Sequence, residues 1–176
     1  MTPTSAPLDA PGDPAGGVLV IGYGNVLRSD DGVGWHAAAL LADDPRVAGV
    51  EVLAVHQLTP ELALDISRAS LVILVDAAAD VQAGLISVQA LGPEDDAGAG
   101  EGGIGAASHH VGPAELVAVA RELYAAAPKV LVMRIGVADM ELGEALSPPV
   151  AAALPAVVEA VVSLVARHRA SRAAPP

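Results

Sequence analysis

Gly22-Tyr23-Gly24-Asn25-Val26-Leu27-Arg28-Ser29-Asp30-Asp31-Gly32-Val33-Gly34 is the stretch on which the reading of this chain turns. An apolar run, Val18-Leu19-Val20-Ile21, precedes it, and an apolar-periodic segment from Trp35 to Leu41 follows. That order predicts a strand buried on both faces, a glycine-rich loop, and a helix whose start offers Ser29, Asp30 and Asp31 as caps. A dinucleotide loop is the first comparison. Gly22 and Gly24 supply two of its three fingerprint glycines, but Leu27 holds the third position. The acidic pair would also set negative charge where a pyrophosphate must rest. No Gly-Lys-Ser/Thr follows either, so a Walker loop fails too. Taken alone, the two glycines turn the chain and Asp31 caps a helix.

Working outward, Val50 to Val55 predicts a second strand, ending at His56-Gln57-Leu58-Thr59-Pro60-Glu61. There Thr59 can cap a helix with proline at its first position, running to about Arg68. Leu71-Val72-Ile73-Leu74-Val75 is the strongest buried-strand signal, ended by Asp76, and Leu85 to Ala90 alternates as an antiparallel edge strand would. Gly92 to Ala107 is glycine-rich and acidic and reads as a long loop. A helix over Pro113 to Tyr124, a strand over Val130 to Ile135 and a last helix from Pro149 to about His168, kinked at Pro155, complete the chain. Alternation of strands and helices predicts an α/β fold in three layers, with a mostly parallel five-stranded sheet covered on both faces. Ligand crevices in such folds lie at the carboxyl ends of the strands where strand order reverses. With strand order 2-1-3, Asp30 or Asp31 comes close to Asp76.

The 176 residues suit one domain, expected over 18–168, between disordered tails at 1–17 and 169–176. Alanine supplies much of the 53% hydrophobic content, and Asp, Gly or Pro breaks every long apolar run short of the ~20 residues a membrane span needs. The first residues show no signal-peptide pattern, so the expected location is the cytoplasm. The absence of cysteine excludes disulfides, thiolate metal sites and cysteine nucleophiles. A net charge of -12, a single lysine and no phenylalanine argue against nucleic-acid binding.

Asp31, Asp76 and a histidine together offer two oxygen donors and an imidazole, a set that suits a borderline divalent ion such as Ni²⁺ or Zn²⁺. Five histidines compete for the third position. His36 falls in a helix interior and His168 near the tail, where structural or exposed roles are the rule, and His56 at a strand end is by default a hydrogen-bonding residue. His109 and His110 precede the third predicted helix on the carboxyl side of the sheet. Protease elbows and His-Glu-x-x-His helices are missing, and Ser108 beside these histidines lacks an orienting third group.

From Val18 to about Val165 the chain resembles the endopeptidases that mature nickel–iron hydrogenases. The likeness rests on Gly22-x-Gly24-Asn25-x-Leu27-x-x-Asp30-Asp31-Gly32-x-Gly34, on Gln57-Leu58-Thr59-Pro60-Glu61 and on Val75-Asp76-Ala77. Ser108-x-His110 and Leu142-Gly143-Glu144-x-Leu146-Ser147 add to it. The resemblance implies a twisted, phosphorylase/hydrolase-like sheet and a metal site of Asp31, Asp76 and His110. In it Gly24, Asn25, Asp30 and His109 are supporting residues, and Asp31 and Asp76 are the catalytic candidates of an aspartic-type or metal-dependent peptidase. Asp31 stands where Glu is frequent, one methylene shorter, and Arg134 to Met140 is less typical than its flanks. The implied reaction removes a C-terminal extension from a nickel-loaded hydrogenase large-subunit precursor, the nickel being the substrate's own and the enzyme acting as a monomer. Two other readings compete. One is a non-catalytic metal- or partner-binding protein. The other, a receiver-type phosphoacceptor, is disfavoured because Lys129 precedes the last strand instead of following it.

Overall fold

The computed structural model describes residues 16–92 and 111–173. Strand β1 (Gly17–Tyr23) leads through a 3₁₀ turn at Ser29–Gly32 into helix α1 (Val33–Ala42). Then come β2 (Glu51–Val55), α2 (Leu62–Ser67), β3 (Ala69–Ala78), β4 (Ile86–Leu91), α3 (Pro113–Tyr124), β5 (Lys129–Gly136) and α4 (Pro148–Ala173). The five strands form one sheet in the order β2-β1-β3-β5-β4, parallel except for β4, which runs antiparallel to β5 at the edge. Strand order 2-1-3 is therefore present, and the three-layer α/β architecture read from the sequence is the observed one.

Period-two alternation along the central strands divides the core between the two faces. Val20, Ile73, Val75, Met133 and Ile135 face α1 and α4, with Val33, Leu41, Val157 and Val161. Leu19, Ile21, Val72, Leu74 and Val130 face α2 and α3, with Leu62, Ile66, Leu116 and Ala120. α4 is long and apolar enough to cross a membrane by length and composition. Yet Val150, Ala153, Val157, Val161 and Val165 are buried at i, i+3/i+4 spacing, and all but Ala153 belong to the core cluster of the sheet, as in the core helix of a folded domain.

Several boundaries differ from the expectation. β3 continues past Asp76, because Ala77 and Ala78 still pair with Ile135 and Gly136 of β5 after β1 has ended. α2 starts at Leu62, not at Pro60, since Leu62, Ala63 and Leu64 donate to the carbonyls of Thr59, Pro60 and Glu61 in a tighter turn. The expected C-terminal tail from 169 is helical to Ala173: Arg169 Nη2 donates to the Ala48 carbonyl at 2.7 Å and His168 Nε2 meets Ser70 Oγ at 2.9 Å, tying the last turns to the domain. α4 also runs through Pro155 as one helix. Gly17 already belongs to β1. The rest of the expected N-terminal tail up to residue 15, and most of the expected loop over 92–107, lie outside the described residues.

Gly34 explains why α1 can seat so tightly on the sheet. A Cβ there would lie 2.2 Å from the Val75 carbonyl oxygen and 2.5 Å from that of Tyr23. Both are backbone atoms of central strands, so neither can turn aside. Gly34→Ala is expected to lower stability in urea unfolding by roughly 2–3 kcal/mol, the cost of overpacking a rigid site. Unchanged stability would mean that α1 withdraws from the sheet without penalty.

Candidate functional site: a two-carboxylate cleft at the strand ends

The cleft begins with register. Gly22 of β1 pairs with Val75 of β3, so Tyr23 and Asp76 follow side by side, and Asp76 in turn pairs with Arg134 of β5. Equal register in a parallel sheet turns the three side chains to one face. Tyr23 Oη donates to Asp76 Oδ2 at 2.8 Å, and the Ala77 amide donates to Asp76 Oδ1 at 2.8 Å. Burial is the largest influence on Asp76 and pushes its carboxyl up to about 6, the nearby Asp31 charge adding to the rise. The two hydrogen bonds and Arg134 oppose it without cancelling it. The Tyr23 phenol is itself driven far above its ordinary range by burial and by the Asp76 carboxylate, which keeps it a donor.

The glycine-rich loop forms the facing wall. Gly24 sits at φ +140°, and a Cβ on it would fall 1.8 Å from the Asp31 carbonyl oxygen, so only glycine lets the chain fold back here. The return brings Asp31 Oδ2 to the Asn25 amide at 2.9 Å, while Asn25 Oδ1 accepts from the Leu27 amide at 2.9 Å. Gly24, Asn25, Arg28, Asp31, His56 and Asp76 line a cleft of about 340 Å³, closed by Tyr23, Gln57, Leu58 and Val111. It opens at the carboxyl ends of β1, β2 and β3, where the fold puts ligand crevices.

The adjacent carboxylates have separate tasks. Asp30 is fully buried and faces away from the cleft lining. Its Oδ2 accepts from the Ala138 and Asp139 amides, each at 2.9 Å, and from Ser147 Oγ at 2.7 Å; its Oδ1 accepts from the Ser147 amide at 2.6 Å. Burial alone would raise this carboxyl, but the donors outweigh it and hold the group below its ordinary range. The expectation that Ser29, Asp30 or Asp31 caps α1 is not met: Gly32 occupies the N-cap without a side-chain bond. Asp30 is engaged by the segment leading into α4, and Asp31 by its own loop.

The histidines sort by position. His36 packs edge-on against Trp35 in α1, and His168 lies by Ser70 at the start of β3, the end of the sheet away from the cleft. His56 is exposed and lines the cleft, a role not read from the sequence. His109 and His110 lie outside the described residues; Val111, next in sequence after His110, is in the cleft wall. Tyr23 and Arg28 were also missed as site residues. For Tyr23 a signal existed, since strand alternation puts it on the same face as a strand-end Asp in the neighbouring strand. Arg28 gave none: only the folded loop shows its Nε and Nη2 donating to the Met140 carbonyl.

Among the described residues no group of three or more His, Asp or Glu converges on a metal position. Two of the donors suited to one do share the cleft, and the Asp31 charge makes ionisation of Asp76 harder. A cation between the two carboxylates would relieve that repulsion, so the donor chemistry fits a divalent ion completed by an imidazole or by a partner's own ligands.

No protein-family model and no curated protein sequence matches the chain. Its fold is that of solved hydrogenase maturation endopeptidases. The chain is similar to HybD of E. coli, with TM-score 0.68 and 22% identity over 86% of this chain and 93% of that one. It is similar to the [NiFe] hydrogenase maturation protease HycI of Thermococcus kodakarensis, with TM-score 0.67 and 17% identity over 85% and 92%. A hydrogenase 2 maturation peptidase of a thaumarchaeon matches with TM-score 0.63 and 25% identity over 85% and 98%.

Asp76 yields a prediction for stability. Its folded carboxyl holds its proton to about pH 6, whereas in the unfolded chain the group ionises near about 3.9. The folded state thus binds more protons in this window, so the group's contribution to stability falls as pH rises from about 4 to 6, and the penalty is complete above that. Asp76→Asn is expected to stabilise the protein near pH 7 by roughly 1–2 kcal/mol after allowance for solvent screening, and by nothing near pH 4. Thermal unfolding of both proteins across this range checks the sign; equal melting points at pH 7 would contradict it.

Proposed function

We propose that this chain is a hydrogenase maturation endopeptidase that removes the C-terminal extension of a nickel-loaded large-subunit precursor. One observation carries the reading: on a fold shared with such enzymes, Asp31 and Asp76 line a single cleft at the ends of adjacent strands. Asp31, Asp76 and His110 are the proposed ligands for the substrate's nickel, and Gly24, Asn25, Asp30 and His109 the supporting residues. The reading of His110 as third ligand rests on the motif ahead of α3 and on the position of its sequence neighbour Val111 in the cleft wall.

Chemically, the cleft suits recognition by charge. Two carboxylates that repel each other gain most from a partner that brings a cation, so a nickel-loaded precursor binds and a nickel-free one does not. Nickel from the substrate then supplies a Lewis acid beside the peptide to be cut. Asp31 or Asp76 assists as the general base that takes a proton from the attacking water and then returns it to the leaving amine. Tyr23 holds the Asp76 carboxylate by its hydrogen bond, and the Asn25 amide holds Asp31. The enzyme is proposed to act as a monomer in the cytoplasm, without a resident cofactor.

Incubation with purified precursor tests this directly. Wild-type protein is expected to shorten nickel-loaded precursor and to leave nickel-free precursor intact, as read by mass spectrometry of the C-terminus. Asp31→Ala, Asp76→Ala and His110→Ala are each expected to cut the rate at least about 100-fold while retaining the folded circular-dichroism spectrum. Binding of loaded precursor without cleavage by wild type would favour the non-catalytic reading.

A further inference from the structure

The row of side chains that begins with Tyr23 and Asp76 ends in a cation. Arg134 of β5 pairs with Asp76 of β3, so the two stand on neighbouring strands, roughly 5 Å apart at the backbone, with side chains on the same face. The Arg134 charge reaches both the Asp76 carboxyl and the Tyr23 phenol and works to lower the proton affinity of each. A salt bridge fixes the guanidinium: its Nη2 pairs with Asp80 Oδ1, from the turn that follows β3. The Asp80 side chain is 69% exposed against 29% for Arg134, so water screens the acid more than the base. Arg28 also lines the cleft, but its guanidinium is turned onto the Met140 carbonyl.

A fixed cation there works against the cleft's own carboxylates. Asp31 and Asp76 line an open cleft, and two such oxygen donors would gather divalent ions from solution. A site built to keep its own ion gains nothing from a positive charge on the next strand, since a divalent ion feels that repulsion twice as strongly as a monovalent one. The arrangement suits a different task. An ion that arrives on a large partner brings the partner's contacts with it, and these offset the repulsion. A free ion has nothing to offset it. Arg134 also opens the stretch, to Met140, that fits the resemblance less well than its flanks.

We propose that Arg134, held by Asp80, is a resident counter-charge that keeps free divalent metal ions out of the Asp31–Asp76 cleft, so that the cleft receives metal only as part of a partner. It rests on the reading of these carboxylates as ligands for the substrate's nickel. Arg134 acts through its charge on the next strand and is itself no ligand, since a guanidinium has no lone pair to give.

Titration of isotope-labelled wild type, Arg134→Gln, Arg134→Lys and the double variant Arg134→Gln/Asp80→Asn with Ni²⁺ tests the proposal. It is run at about pH 8, above the Asp76 value of about 6, so that protons do not compete. The readout is the apparent Kd from broadening of the Asn25, Asp31, Asp76 and Ala77 amides, while the rest of each spectrum reports an intact fold. Arg134→Gln is expected to bind Ni²⁺ about tenfold more tightly than wild type, the effect of removing one partly screened charge beside the site. The double variant is expected to tighten as well, because the repelling charge is gone in both. Arg134→Lys keeps the charge and is expected to stay close to wild type. Equal or weaker binding in Arg134→Gln, or the same tightening in Arg134→Lys, overturns the role of Arg134 and leaves the metal reading of the cleft standing. Tightening that disappears in the double variant overturns it too, because Asp80 would then be attracting the ion. Absence of broadening at these amides in all four proteins overturns the metal reading, and the role of Arg134 with it.

Discussion

A single buried carboxylate, Asp30, joins the parts of this molecule that the cleft needs in register. It has no contact with solvent and accepts four hydrogen bonds from the segment leading into α4, with its own amide bonded to the Asp139 carbonyl in return. An ionised group in such a position is tolerable only when its donors replace water. Here they do so well enough that the carboxyl stays below its ordinary range. The consequence reaches beyond Asp30. The loop after β1 is pinned from behind, and Asp31, the next residue, is turned toward the cleft and met there by the Asn25 amide.

The cleft itself is in electrostatic tension. Burial and the Asp31 charge both oppose ionisation of Asp76, and the Tyr23 phenol offsets part of that cost by donating to it. A protein seldom maintains such an arrangement for stability, because an uncharged side chain at the same position would be more comfortable. A positive charge placed between the two carboxylates would relieve that tension, and this is the physical basis of the proposed recognition of a cation-bearing partner.

Much of this was legible in the residues. Alternation of apolar runs with helical patterns indicated the three-layer sheet, and the glycines with their acidic pair indicated a loop unsuited to phosphate. Strand order indicated that Asp30 or Asp31 comes close to Asp76, and the folded loop shows that Asp31 is the one lining the cleft with it. Other features are set by tertiary contacts that sequence does not encode locally. Nothing near Asp30 reveals that its hydrogen-bond donors lie more than a hundred residues away. The cap expected at α1 failed because Asp30 is engaged by that distant segment and Asp31 by the Asn25 amide of its own loop. β3 outran Asp76 because β5 continued to pair with it, and α4 outran His168 because Arg169 found the Ala48 carbonyl. Tyr23 needed only the alternation of β1 to be seen as the neighbour of Asp76.

The central claim, that Asp31 and Asp76 jointly receive a nickel ion in this cleft, is tested most directly by paramagnetic broadening of backbone amide resonances on titration with Ni²⁺. This measurement detects even weak occupancy and reports where the ion sits. The account predicts that the amides of Asn25, Asp31, Asp76 and Ala77 broaden first, and that Asp76→Asn abolishes the effect at all four. Broadening centred instead on His168 or His36, with these four amides unchanged, would contradict it.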